Sequence, residues 1–364
     1  MTLTPPTPDE RDAWSQRTAA LDPRDMRGHI RDLPQQLAEA VERAVPFAAG
    51  LPQRPPSAIA VLGLGGSAMG ADLAAAYSTD RREVPVVTVR DYWLPAWLGE
   101  RALVIASSYS GNTEETLSGY QAAKARGLRA IALTTGGRLA ELARTAGDPV
   151  LTLPAGLPPR AALGHSFAAV ALSIAQADPG LALEREADAL RGAAAFLAPL
   201  AETWLGWGAD NPALAIAASA RTLLPVIYGG HPITIAAARR WKTQINENGK
   251  IPAFTGEFSE HNHNEIVGFE GDHPAAAGFA LISLETVWDH PQISRRFDFV
   301  RRYCAARVGA QHRVQAAGAT PLEAMLWLCY LGDCASFLIS IMTGQDPTPV
   351  TSIDQLKAEL KDAE

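Results

Sequence analysis

Two hydroxyl- and glycine-rich stretches hold residue types that could do chemistry. They are Gly63-Leu-Gly-Gly-Ser-Ala-Met-Gly70 and Ser107-Ser-Tyr-Ser-Gly-Asn-Thr113, the latter running into Glu114-Glu-Thr-Leu117. Each follows an apolar, β-branched run and precedes a helical pattern. Hydroxyls, glycine and unpaired helix N–H groups therefore converge where a strand ends and a helix begins. The helix dipole adds partial positive charge, and the combination holds a phosphate without Lys or Arg. An ordinary N-cap would use Ser-Gly-Asn-Thr as well, but a second loop of the same kind favours an anion site. Gly63-x-Gly65-x-x-Ala68, with Asp91 beyond the next strand, also satisfies a loose dinucleotide-binding pattern. That reading leaves the Ser-Gly-Asn-Thr loop unexplained. Further on, His261-Asn-His263-Asn-Glu265 would set two imidazoles and a carboxylate on one side of an extended chain. Such a set also suits a metal, although no other Cys/His cluster supports one.

These loops need strands and helices to hold them. At 364 residues, the chain predicts two α/β domains rather than one core. It is 47% hydrophobic and 20% charged, ordinary for a globular protein. Its net charge of -7 argues against nucleic acid or an anionic membrane as the main partner, and leaves a local site for a small anion open. Met1 to Glu10 has neither a basic start nor an apolar segment, so no secretory signal is expected. The longest apolar stretch, Ala324 to Met342, is interrupted by Gly332 and Asp333, so no membrane span is expected. Cys304, Cys329 and Cys334 are an odd set without CxxC spacing, which predicts reduced, mostly buried thiols and a cytoplasmic protein.

Residues 1–50 read as a helical segment, with Leu33, Leu37, Ala40, Val41 and Ala44 at helical spacing. Strands are predicted at Ser57 to Leu62, Val84 to Val89, Ala102 to Ala106, Leu128 to Leu133 and Val150 to Leu153, with helices between. Gly127 should stop the helix that follows Ser-Gly-Asn-Thr. This alternation means a parallel sheet with helices on both faces, a three-layer αβα unit with ligands at the carboxyl ends of its strands. His165 to Ala177 and Leu181 to Trp204 read as helical. The pattern restarts at Leu223-Leu-Pro-Val-Ile-Tyr-Gly-Gly230, where Pro232 opens a helix. A strand at Ala276 to Leu284, a helix at Phe297 to Ala306 and a strand at Arg313 to Ala317 follow. Helices at Pro321 to Met342 and Ile353 to Leu360 close the chain. The expected division is 1–50, 51–200 and 201–364, the last part a degenerate copy of the second.

With both loops in place, the chain resembles the sugar isomerase (SIS) domain, in tandem. Asn246-Glu-Asn-Gly-Lys-Ile-Pro-Ala-Phe254 and His261-Asn-His-Asn-Glu-Ile-Val-Gly268 are similar to the bifunctional phosphoglucose/phosphomannose isomerases. So are Leu21-Asp-Pro-Arg-Asp-Met26, Gly332-Asp-Cys-Ala-Ser-Phe337 and Asp346-Pro-Thr-Pro-Val350 through Lys357. The resemblance implies phosphate and sugar binding at Gly66, Ser67, Ser108, Ser110 and Thr113, and an active-site arginine at Arg160. It further implies a catalytic base at Glu247, a ring-opening histidine at His263 and a catalytic-site lysine at Lys357. It implies aldose–ketose isomerisation of glucose 6-phosphate and mannose 6-phosphate with no metal or cofactor. Homodimers in which the histidine reaches the neighbouring subunit's site are implied too. His165 and Gly249 depart from the family's usual residues.

The residue types fit that chemistry. Moving a proton between C1 and C2 through an enediolate needs a base, an acid/base for ring opening, and positive charge near the oxyanion. Glu247 falls in the last turn of its helix before Gly249, off the core stripe of Ile233, Ala237, Trp241 and Ile245. A carboxylate at that end of the dipole should hold its proton more readily. Two other readings stand beside this one. A non-catalytic phosphosugar sensor could keep the serine loops and lose Glu247, His263 and Lys357, yet all three are present. An aminotransferase would need a glutaminase domain, and none is recognisable.

Overall fold

The computed structural model describes residues 6–271 and 273–361. Residues 1–5 of the segment 1–50 read above as helical lie outside the described residues. Helices α1 (Pro8–Leu21), α2 (Met26–Arg31) and α3 (Leu33–Ala49) open the chain. A capping box starts α1: the Thr7 hydroxyl accepts from Glu10 N–H and the Glu10 carboxylate accepts from Thr7 N–H.

The first sheet is built from β1 (Ile59–Leu62), α4 (Gly65–Tyr77), β2 (Val86–Val89), β3 (Leu103–Ser107), α5 (Glu114–Ala125), β4 (Arg129–Thr134), α6 (Gly137–Thr145) and β5 (Val150–Thr152). Its five strands are parallel in the order β2-β1-β3-β4-β5. β1 and β3 are buried along their whole length, which is why they read as unbroken apolar runs. The strand order reverses between β1 and β3, and a crevice opens there at the carboxyl ends. The loops after these two strands are the two glycine/serine stretches.

Helices α7 (Leu163–Ala177), α8 (Leu183–Leu197), α9 (Ala201–Trp204) and α10 (Pro212–Ala220) lead to a second sheet. It contains β6 (Leu224–Gly229), α11 (Pro232–Glu247), β7 (Phe254–Glu257), β8 (Phe279–Glu285), α12 (Pro291–Cys304) and β9 (Ala310–Gln315). Helices α13 (Pro321–Thr343) and α14 (Thr351–Lys361) complete the chain. The order β7-β6-β8-β9, all parallel, repeats four strands of the first sheet. The repetition read from the sequence is present in the topology. A single apolar cluster runs through α3, α4, α7, α8, α10, α11 and α13 and reaches both sheets.

Several boundaries differ from the sequence reading. β7 went unread because it is a short edge strand with Phe254 half exposed and little apolar pattern. α12 begins well before Phe297, since the His290 side chain caps it at Gln292 N–H and Pro291 takes its first position. β9 starts at Ala310 rather than Arg313, because its register against β8 pairs Ala310 with Ala280. The helix expected over Pro321 to Met342 is α13, and although Gly332 and Asp333 break its apolar run, at 23 residues it is long and apolar enough to cross a membrane. Within the fold, 94% of its apolar window is buried, as expected for a core helix. Gly332 serves close packing there, since a Cβ would lie 2.4 Å from the Trp241 ring. Asp333 is paired with Arg240.

Candidate active site

The two loops meet at the crevice between β1 and β3. Gly63 passes so close to the Ser107 carbonyl that a Cβ would lie 2.9 Å from it. Ser67 Oγ accepts from Tyr109 N–H at 3.2 Å and so joins the first loop to the second. Ser108 Oγ and Thr113 Oγ1 are 2.9 Å apart, and Ser108 Oγ also accepts from Gly111 N–H at 3.1 Å. Gly111 turns the second loop with φ +70°, and a Cβ there would lie 1.9 Å from the Gly136 carbonyl, so only glycine fits. Ser110 is exposed and accepts from Asn112 N–H at 3.2 Å. Thr113 is the N-cap of α5, but its side chain does not bond the helix. The first-turn N–H groups of α5 thus carry no side-chain cap, which leaves them open to an anion.

Arg160 enters from a 3-10 turn, Pro159–Ala161. That turn touches the first loop at Gly66, where a Cβ would lie 2.6 Å from the Pro159 carbonyl. The Arg160 side chain is only 3% exposed. Nε donates to Asn248 Oδ1 at 2.6 Å, and one terminal nitrogen donates to the carbonyls of Pro347 (2.8 Å) and Thr348 (2.7 Å). The other terminal nitrogen stands 3.5 Å from Glu247 Oε2. Burial pushes the guanidinium below its usual value, and Glu247 opposes that shift. Beneath it, Arg240 donates to the Arg160 carbonyl and forks onto Asp333 at 2.9 and 2.7 Å.

Glu247 ends α11 with its side chain 27% exposed, so a ligand can reach it. Gly249 does not adopt the left-handed conformation expected of a helix-stopping glycine. The positive φ falls on Lys250, at +56°. Gly249 instead lets the chain pass 2.7 Å (as a Cβ distance) from the Ile245 carbonyl and beside Ile339 of α13. A larger residue there would need the chain to shift. The buried His165 lies in the first turn of α7, its pKa lowered by burial.

The structure therefore brings Gly66, Ser67, Ser108, Ser110 and Thr113 to one crevice, with the Arg160–Glu247 pair linked to it through the Gly66 contact. His263 and Lys357 are not joined to that group. Both are exposed, and no hydrogen bond or ion pair among the described residues connects either to Glu247. The stretch from His261 to Glu265 is not extended but folded into 3-10 turns. His261 is fully buried against Tyr228 and Phe258, with Nδ1 3.3 Å from Glu265 Oε2, while His263 is exposed. The two imidazoles do not share one side. Asn248, Lys250 and Thr348 also belong to this neighbourhood. Asn248 and Lys250 flank Glu247 within the stretch that carried the family resemblance, and that was the one signal available for them.

The crevice thus offers neutral donors for a phosphate and, beside them, a reachable carboxylate backed by a buried cation. Known proteins share this chain's plan. A family profile described as the bacterial phospho-glucose isomerase C-terminal SIS domain matches residues 209–360. A protein of Caldicellulosiruptor bescii named bifunctional phosphoglucose/phosphomannose isomerase is 40% identical over 338 residues, covering 92% of this chain and 99% of its own. The chain belongs to the bifunctional phosphoglucose/phosphomannose isomerase family. A relative of the same name from Aquifex aeolicus is 32% identical over 308 residues, covering 84% of this chain and 91% of its own. A hypothetical protein of Thermus thermophilus superposes with a TM-score of 0.73 over 98% of this chain and 95% of its own, at 16% identity, a likeness of fold. Membership in the phosphoglucose/phosphomannose isomerase family displaces the dinucleotide reading of Gly63-x-Gly65-x-x-Ala68.

Proposed function

We propose that this protein interconverts glucose 6-phosphate and mannose 6-phosphate with fructose 6-phosphate. Glu247 takes the proton from C2 of the aldose and returns it to C1 through an enediolate, and the reverse. The serine loops and the N-terminus of α5 hold the phosphate. The terminal nitrogen of Arg160 that faces Glu247 supplies positive charge for the developing oxyanion. Glucose and mannose differ only at C2, which is planar in the enediolate, so one base serves both if the sugar turns about C2–C3. No metal or redox cofactor enters this chemistry. The observation that carries the reading is the Arg160–Glu247 pair at 3.5 Å, one member buried and the other reachable.

His263 is assigned to ring opening at the neighbouring subunit's site in a homodimer, and its exposure supports that assignment. Lys357 is assigned to the catalytic site at the end of the chain. We divide the chain into a helical segment 1–50, a first SIS domain 51–200 and a second 201–364. One parallel sheet on each side of residue 200 supports this division. We place the enzyme in the cytoplasm, at the hexose-phosphate step of glycolysis and gluconeogenesis, and its free, buried cysteines support a reducing compartment.

A coupled assay with EDTA present, offering fructose 6-phosphate and mannose 6-phosphate separately, tests the reading. Wild type should turn over both, and Glu247→Gln should lower kcat by roughly 10²–10⁴-fold, the usual share of a general base. Folded wild type that binds both sugars and turns over neither would make it a sensor.

A further inference from the structure

Past Glu247, the chain turns through Lys250 in a backbone region that residues with a Cβ seldom adopt. The turn aims the ammonium back at the end of α11 and at the segment between α13 and α14. It donates to the carbonyls of Glu247, Pro347 and Pro349, the Pro347 contact being 3.3 Å. Burial and the nearby Arg160 push this ammonium below its usual value, against the charge of Glu247.

The segment it holds is Asp346-Pro-Thr-Pro-Val350. Pro347 and Pro349 have no N–H, so the segment cannot extend a helix or join a sheet, and its carbonyls need donors from elsewhere. Arg160 serves Pro347 and Thr348, and Lys250 serves Pro347 and Pro349. Asp346 adds a longer contact to Arg24, at 4.0 Å. Beyond this strap, residues 351–360 of α14 are all exposed, Lys357 among them. The direction in which α14 leaves the body is therefore set by the strap and its two cationic anchors.

We propose that Lys250 is a positioning residue for the isomerisation. It locks the end of the Glu247 helix to the strap and so fixes the point from which α14 presents Lys357. Lys250 does not act on the sugar. It acts through the position at which α14 delivers Lys357, which rests on the isomerase reading above and on the part of Lys357 in it.

A double-mutant cycle on the full chain tests this, using Lys250→Met, Lys357→Met and both together, with fructose 6-phosphate as substrate. Lys250→Met, with its circular dichroism spectrum unchanged, should lose about tenfold or more in kcat while KM moves less than about threefold. In the Lys357→Met background the same change should cost less than about threefold, because the strap then delivers nothing. Lys250→Arg, which keeps charged donors, should recover most of the loss. Equal losses in both backgrounds would overturn the proposal, as would a folded Lys250→Met or a Lys357→Met with wild-type kcat. Should Lys250→Met fail to fold, Lys250→Gln keeps two N–H donors, and the same cycle decides. A wild type inactive on both sugars removes the isomerase reading itself, an outcome separate from an active wild type that Lys250→Met merely equals.

Discussion

Arg160 illustrates how a residue type understates a role. As a loop arginine after two prolines, it reads as an anion clamp, yet most of its donors are committed to Asn248, Pro347 and Thr348. What it can offer a substrate is the edge beside Glu247. Lysine cannot reproduce that fork. Arg160→Lys should leave buried carbonyls unpaired and cost about 2–3 kcal/mol, read as a lower midpoint in urea. The Arg240–Asp333 pair below it is buried on both sides. Burial pushes the Asp333 carboxyl up, against the pull of Arg240. Asp333→Ala should cost about 3–5 kcal/mol by leaving the guanidinium uncompensated, whereas replacing both partners with apolar residues should cost much less.

The first loop and the Pro159–Ala161 turn depend on each other through Gly66. Gly66→Ala would drive a Cβ to 2.6 Å from the Pro159 carbonyl and part the serine loop from Arg160. The expected result is a KM for sugar phosphate raised roughly tenfold, with the melting temperature little changed, since a displacement of about 1 Å at a positioned group suffices. The 3-10 segment around His261 makes a different prediction. Burial lowers the pKa of His261 below its ordinary 6.5, with Glu265 opposing, and burial does the same at His165 and His312. The folded state then binds fewer protons than the unfolded one just below pH 6.5. Their contribution to stability is complete above that value and is withdrawn as pH falls through the depressed folded values. Each unit of depression is worth about 1.4 kcal/mol. Thermal melts should fall from pH 7 towards pH 5, and His312→Gln should flatten that decline.

The two sheets share one apolar cluster, threaded by α11 and α13. Thermal unfolding should therefore show one transition for both halves rather than two. Two separated transitions would mean that the shared helices do not couple them. A homodimer that exchanges His263 predicts complementation between inactive partners. Mixing Glu247→Gln with His263→Ala, after partial unfolding and reassembly, should restore about a quarter of wild-type activity. Half of the reassembled dimers would be mixed, each with one intact site of two. No recovery would mean that each chain supplies its own histidine.

Much of this protein is written in local pattern. Buried parallel strands give apolar runs, helix starts give caps, and glycines mark turns, so both sheets and both serine loops are legible in one dimension. Gly127, expected to stop α5, does so at φ +66°. The edge strand β7 was not legible, because an edge needs no apolar run. The helix α13 was legible, but the reasons Gly332 and Asp333 sit inside it were not, because Trp241 and Arg240 lie on another helix. The acceptors of the Arg160 side chain's hydrogen bonds stand 88 to 188 residues away along the chain. Lys250 reaches a strap whose only local sign is a pair of prolines. Contacts between distant segments have no period and no spacing, so no pattern along the chain encodes them. The sequence determined the fold and the chemical types at the crevice, and tertiary packing decided which cation faces Glu247, what holds it, and how the end of the chain is anchored beside it.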